Sequence, residues 1–470
     1  MTKALHEMAV EEVAPLIETK QVSPVEVVRD VFRQVRKKNE TLNVYLEITR
    51  EEAMERAKIA EKEIMNGRYL GMYHGIPLSI KDNIYFKGRG ATMGSKIHEF
   101  FVSDFDATVV RKLKQAGANF TGKVNMHEYA WGITTNNPHF GPCRNPWDTS
   151  RIPGGSSGGS GVAVAADMCM ASLGTDTAGS IRIPASACGI VGLKPTHGLV
   201  SKYGCFPLSW SLDHLGPMTK TVRDAAGLLE ILVGFDPLDP TSVHAPFVDY
   251  QKGLTGQLKN LVIGVDEDYF FHNIDPEIDN IVRRGIQQLE DAGAKVKPIN
   301  VRSLQYAEYS EMITILSEAA TIHQKNLKER PEDFGEDIKP LLALGQLPSA
   351  VDYLEAQQLR RKIKQEFAEA FQKVDVFISP TLPIVPPKIG EEVIELNGKE
   401  TDIVTQMIRM TGPANLTGLP ALSVPCGFAD GLPVGMQLMG PAFSEALLLN
   451  VGYVFEKVSD MKNRKPVMNH

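Results

Sequence analysis

The sequence predicts an α/β fold, from three observations. An apolar-periodic helix, then Ala-Gly-Ala, then a strand occurs twice, over 108–124 and 275–301. The run Asn260-Leu-Val-Ile-Gly-Val265 ahead of the second unit reads as a buried strand, and strand character returns in Val374-Asp-Val-Phe-Ile-Ser-Pro380 after a long helical stretch. Helices that alternate with strands pack onto a sheet rather than onto one another.

Taken in order, residues 1–21 carry acids throughout and no continuous apolar core, which excludes a secretory signal and favours an amphipathic helix. The Gly/Ser-rich segment Gly154–Gly161 leads directly into Val162-Ala-Val-Ala-Ala-Asp-Met168, so it reads as a loop opening a helix, a place suited to anions and oxyanions. In the second helix–strand unit Asp275 caps, Pro276 takes the first helical position, Ile278, Ile281, Val282 and Leu289 form one face, and Gly293 supplies a left-handed stop. Residues 300–373 are mostly helical, with Leu359, Ile363, Phe367 and Phe371 at four-residue spacing, and read as a lid or side layer. Neither a repeat nor a flexible linker divides the chain, which reads as one large domain.

Composition narrows the function classes. Over 470 residues, 43% hydrophobic and 23% charged content belongs to an ordinary globular protein, and a net charge of −7 without a basic stripe argues against nucleic acid. Cys143, Cys169, Cys188, Cys205 and Cys426 are odd in number and never spaced as CxxC, which suits a reducing cytoplasm and no thiolate zinc site. The most apolar stretch, 161–174, is interrupted by Asp167 and is short of the ~20 residues a bilayer span needs, so no membrane partner is expected. The 11 histidines show no metal-binding spacing, and no metal site is expected.

Several motifs compete for the chemistry. Gly117-Ala-Asn-Phe-Thr-Gly122-Lys123-Val124 approaches a P-loop, but Val124 replaces the magnesium-binding hydroxyl and the helix precedes the strand, so a helix-to-strand turn fits better. Gly155-Ser156-Ser157-Gly158-Gly159 matches GxSxG with Ser157 as nucleophile and His197 and His214 downstream, yet a Pro-punctuated loop, not a strand, runs into it. Ser459-Asp-Met-Lys462 is a formal SxxK in a charged tail without partner motifs.

Three other pieces are informative together: Gly75-Ile-Pro-Leu-Ser-Ile-Lys81, Gly154–Gly161, and Gly174-Thr-Asp-Thr-Ala-Gly-Ser180-Ile-Arg-Ile-Pro184. Lys81 follows Ile76, Pro77, Leu78 and Ile80; burial there favours its neutral form, while the alternative is a lysine that snorkels or pairs with Asp82. Thr177, Ala178, Gly179 and Ser180 form a small-residue loop whose amides can converge on one point, or simply a tight turn under a strand. A serine nucleophile needs a base; with no histidine or acid recurring near these segments, a neutral lysine acting through a second serine can serve.

These pieces closely resemble the amidase signature family from about Gly75 to about Leu229, through Cys188-Gly-Ile-Val-Gly-Leu-Lys-Pro-Thr-His-Gly-Leu-Val-Ser201, and more weakly onward through Ser379-Pro-Thr-Leu-Pro and Gly412-Pro-Ala-Asn-Leu-Thr-Gly-Leu-Pro420. The resemblance implies a single domain over 1–470 with a mixed central sheet covered by helices on both faces, a signature core over about 75–230 and a variable helical segment over about 300–373. It implies that Lys81, Ser156 in a cis peptide and nucleophilic Ser180 are the catalytic groups, with an oxyanion hole at Thr177, Ala178, Gly179 and Ser180, where Ala178 replaces a commoner glycine. The chemistry implied is hydrolysis of a small-molecule amide through an ester on Ser180, with no cofactor and no metal; a homodimer is an open assembly.

The family divides into stand-alone amidases and the glutamine-hydrolysing A subunit of an aminoacyl-tRNA amidotransferase. The latter carries an acid shortly before the Pro-x-Asn-Leu segment, where this chain has Ile408 and Arg409. A positive or apolar site would not attract an ammonium group, so the expectation is a stand-alone amidase. A catalytically silent scaffold is the third reading, opposed by intact Lys81, Ser156 and Ser180. Tyr129, Trp131, Phe206 and Trp210 are candidate pocket residues, and the helices over about 305–350 are expected to shape the cleft.

Overall fold

Eleven strands build one mixed sheet in the computed structural model, which describes residues 3–459, 461 and 464–467. In chain order they are β1 (Tyr45–Ile48), β2 (Pro77–Lys81), β3 (Asn119–Val124), β4 (Ala171–Asp176), β5 (Val191–Lys194), β6 (His214–Thr219), β7 (Val262–Val265), β8 (Lys295–Pro298), β9 (Val376–Pro380), β10 (Ala421–Ala429) and β11 (Leu432–Met439). Across the sheet they lie in the order β1-β3-β2-β4-β6-β5-β10-β11-β9-β7-β8. β3, β2 and β4 are parallel, as are β9, β7 and β8. The other neighbours are antiparallel.

The helices that bear on the site are α1 (Thr108–Gln115), α2 (Gly158–Ala165), α3 (Arg182–Cys188), α4 (Pro276–Asp291), α5 (Ala307–Glu329), α6 (Ala350–Ala370), α7 (Gly412–Thr417) and α8 (Glu445–Val458). Parallel neighbours need a crossover, and α1 and α4 supply it for β2–β3 and β7–β8, the two units the repeated punctuation marks. Asp275 accepts from the amides of Glu277 and Ile278 at 2.8 and 3.4 Å, Pro276 opens α4, and Gly293 turns at φ +107°. The P-loop-like segment is the turn into β3 and that strand itself: Lys123 is buried and donates to the carbonyls of Asp82 and Ile84.

Alternation along the strands divides the core into two layers. Ile378, Leu422 and Leu438 point into one, which α4 covers with Ile281, Val282 and Leu289 and α8 with Leu448 and Phe455. Their neighbours Phe377, Ala421 and Met439 point into the other, covered by Ile315 and Ala319 of α5 and Ile363 and Phe367 of α6. On α6 the buried stripe is Ala356, Ile363, Phe367 and Ala370, while Leu359 and Phe371 are half-buried, because strict four-residue spacing drifts about 40° per step around a 3.6-residue helix. The amphipathic helix expected near the N-terminus spans Val10–Glu18, with Val10, Val13, Ala14 and Ile17 buried. Lys462 lies outside the described residues, and among those no helix is long and apolar enough to cross a membrane.

Candidate active site

Lys81 is the last residue of β2, a strand buried along its whole length, so its chain cannot reach solvent. Its Nζ donates to Ser156 Oγ at 2.8 Å and to Thr175 Oγ1 at 2.6 Å. Burial lowers its pKa to about 7, and the more distant Cys205, Asp176 and Asp213 only partly oppose that. The pairing with Asp82 does not occur: Asp82 accepts from the Thr92 amide and hydroxyl and faces Lys123 at 3.6 Å.

Ser156 stands in the loop ahead of α2, and the Gly155–Ser156 peptide is cis. Around it Thr135 Oγ1 donates to the Gly154 carbonyl and accepts from the Gly158 amide, and Gly155 leaves no room for a Cβ, which would lie 2.9 Å from Ile133 and Thr135. Ser157, the formal GxSxG serine, is occupied structurally: its hydroxyl donates to the Thr175 carbonyl and accepts from the Thr175 amide. His214 is buried beside Lys194 and hydrogen-bonded to the Leu212 carbonyl, and His197 packs against it, so neither ring serves Ser157.

Ser180 lies in the turn between β4 and α3, 6% exposed. Asp176, at the end of β4, organises that turn. Its carboxylate accepts from the Gly179 amide at 2.8 Å, the Ile181 amide at 3.1 Å, the Asn415 amide group at 2.8 Å and the Arg182 guanidinium twice at 3.0 Å. Burial alone would raise its pKa, but Arg182 and these donors hold it at about 2. Gly179 turns at φ +129° with Thr411 Oγ1 2.2 Å from where a Cβ would sit, so only glycine fits.

Of the four amides expected to form an oxyanion hole, that of Gly179 is already spent on Asp176. The amides of Thr177, Ala178 and Ser180 have no partner among the described residues, and neither does the Ser180 hydroxyl, so no hydrogen bond joins it to Ser156.

A largely apolar pocket opens at Ser180, walled by Trp131, Ile133, Ile183, Leu208, Ile315 and Ile408, with Met312 and Leu341 from the helical segment expected to shape it. Of the four candidate pocket residues only Trp131 reaches it. Tyr129 is a core residue in tilted ring contact with Phe206, His323 and Phe334. Phe206 and Trp210 line a neighbouring cavity with Lys202 and Asp213, and Trp210 is 43% exposed. A loop aromatic beside a motif carries no information about which wall it joins.

Two charges depart from the sequence reading. Arg409 turns away, donating to the carbonyls of Tyr269, His272 and Asn273, so only Ile408 faces the pocket. An acid is nevertheless present: Glu311, from α5, lines the pocket with Ser180, is 3% exposed, and its Oε1 has no hydrogen-bond partner among the described residues. Burial pushes its pKa up to about 8, opposed by Arg182 and reinforced by Asp176 and Glu308. Asp176 and Arg182 were within reach of sequence reading, six residues apart in one motif; Glu311 sits in an ordinary helical run and gives no local signal.

A family model described as Amidase matches residues 26–449. The A subunit of the glutamyl-tRNA(Gln) amidotransferase of Moorella thermoacetica is 38% identical over 98% of this chain and 99% of its own. Among solved structures, an amidase is 35% identical with a TM-score of 0.87, covering 96% of this chain and all of the other. The A subunit of the Thermotoga maritima glutamyl-tRNA(Gln) amidotransferase is 34% identical with a TM-score of 0.82, covering 98% and 96%.

Proposed function

Because this chain belongs to the amidase signature family and is an enzyme of carbon–nitrogen bond hydrolysis, we propose that it cleaves a carboxamide through an acyl-enzyme on Ser180, with Ser156 and Lys81 as the proton relay. The observation that carries this reading is the buried lysine of near-neutral basicity donating to Ser156 Oγ at 2.8 Å. At pH 7 and above a large share of Lys81 is neutral, and with one N–H held by Thr175 the contact to Ser156 then reverses, the nitrogen lone pair accepting from the serine hydroxyl.

In the reaction Lys81 takes the proton of Ser156 as Ser156 takes that of Ser180. Ser180 Oγ then adds to the amide carbonyl. The amides this loop leaves free, those of Thr177, Ala178 and Ser180, are the donors to the oxyanion. Collapse breaks the carbon–nitrogen bond, the relay returns its proton to the leaving nitrogen, and ammonia or an amine departs. Water, deprotonated by the same relay, adds to the ester, releasing the carboxylic acid and restoring Ser180. The link from Ser156 to Ser180 is made in this reading once substrate orders the free hydroxyl, since catalytic contacts tighten in the substrate complex. The whole chain acts as one unit, with 75–230 supplying the reacting groups and 300–373 the outer pocket wall.

A serine-reactive fluorophosphonate, with the adduct mapped by mass spectrometry, tests this reading: labelling at Ser180 supports it, and labelling at Ser157 or nowhere overturns it. The second reading, the glutamine-hydrolysing component of an amidotransferase, is favoured by the full-length 38% identity to a protein of that name. Ammonia release from simple carboxamides by the purified chain favours the stand-alone amidase. Glutaminase activity that appears only with added amidotransferase partner proteins favours the other.

A further inference from the structure

A buried carboxyl without a donor is costly, and folded proteins seldom keep one away from a ligand or water. Glu311 is such a group, and it lines the same pocket as Ser180. The neighbouring cations are all engaged elsewhere. Arg182 is consumed by Asp176, Asn415, Gln437 and the Thr411 carbonyl. Arg360 donates to Leu416 and Ser211, and Arg409 to three carbonyls on the far side. Room for the carboxyl is provided by Gly412, where a Cβ would stand 2.0 Å from Glu311 Oε2. A side chain at 412 would push Glu311 out of its place; glycine lets it stay against α7 and the Thr411–Ala178 contact that backs the Ser180 loop.

We propose that Glu311 is the recognition residue of this pocket, accepting a hydrogen bond from a nitrogen-borne donor on the acyl part of the substrate, so that the preferred class is carboxamides carrying an amino group. The inference rests on the hydrolytic reading above and specifies its substrate. In the empty pocket at neutral pH the carboxyl mostly holds its proton. A bound ammonium favours the carboxylate, whose proton leaves to solvent, and the charge pair then forms where water is largely excluded. The remaining walls are apolar and match the methylenes between that nitrogen and the amide.

The test compares ω-aminoalkanamides of two to six carbons with alkanamides in which methyl replaces the amino group, on wild type, Glu311→Gln and Glu311→Leu. The expected result is a wild-type preference for at least one amino member of about tenfold or more in kcat/KM, carried mainly by KM. That ratio should fall about tenfold in Glu311→Gln and invert in Glu311→Leu. A ratio near one in wild type, or a ratio unmoved in both variants, overturns the proposal; water is then the partner of Glu311. Fluorophosphonate labelling of each protein separates this outcome from the other failure: an unlabelled wild type that turns over no member of either series overturns the hydrolytic reading, and the recognition role with it.

Discussion

Asp176 and Glu311 are both fully buried carboxyls beside the same serine loop, and their ionisation is driven in opposite directions. Burial raises both. Asp176 gathers three amide donors and a two-point guanidinium contact, which overcome the burial and hold it at about 2. Glu311 gathers none and is pushed up to about 8. The difference teaches that burial does not set the state of an acid here; the number of donors aimed at it does. The floor under the loop at the end of β4 holds a carboxylate saturated with donors, whereas the α5 wall holds one with unused hydrogen-bonding capacity.

The sharpest way to separate floor from wall is Ser180→Ala. It removes one unpartnered hydroxyl, so kcat/KM should fall by about 10⁴-fold or more while the unfolding free energy stays within about 1 kcal/mol. Denaturation curves and turnover measured on one preparation decide it, and residual activity within tenfold of wild type removes Ser180 from its role. Asp176→Ala should break the floor itself. It strands the buried Arg182 guanidinium and frees the Gly179 and Ile181 amides, at a cost of about 3–5 kcal/mol by urea unfolding, with turnover lost alongside. A loss below about 1 kcal/mol would mean that the floor does not depend on its carboxylate.

Lys81 supplies a third test, since its lowered basicity ties activity to pH. The neutral amine is the working form, so kcat/KM should rise with pH through about 7 and then level. Lys81→Ala should lose about 10²–10⁴-fold and that limb with it; a profile that keeps its shape points to another base.

The smallest effect compares the stability of the two acids across pH. Asp176 is depressed from 3.8, so its contribution is present above pH 4 and is lost as pH falls through about 2. Glu311 is raised from 4.5, so the folded state keeps a proton the unfolded chain has released between about pH 4.5 and 8, and stability declines through that window. Glu311→Gln has no such decline and should be the more stable protein at pH 9 by about 2 kcal/mol, a value reduced from full linkage because the pocket admits water. Thermal unfolding of both proteins from pH 5 to 9 measures it, and parallel curves would show that Glu311 is paired.

Local signals sufficed wherever the chemistry lies in a short stretch. The helix cap at Asp275, the left-handed stop at Gly293 and the two crossover units depend on residues within a few positions of one another, and each appears where the sequence places it. Lys81, Ser156 and Ser180 were legible as candidates, because unusual small or isolated polar residues stand in otherwise apolar or glycine-rich runs, while their roles came from the family resemblance. The pocket was not. Tyr129, Phe206 and Trp210 are as aromatic as Trp131, yet the paths of their loops carry them into the core or a neighbouring cavity.

Sequence alone determined the α/β alternation and singled out three polar candidates, because each follows from near neighbours in the chain, and it carried the reaction class through the family its motifs resemble. Tertiary structure decided what those groups experience. It left Lys81 without a route to water, spent the Gly179 amide on Asp176, turned Arg409 outward and brought Glu311 from α5 to within the Ser180 pocket. Apart from the Gly179 contact, which is local, these are consequences of which surfaces pack together over separations of a hundred residues or more, and a side chain's charge is set by the donors and solvent that such packing leaves around it.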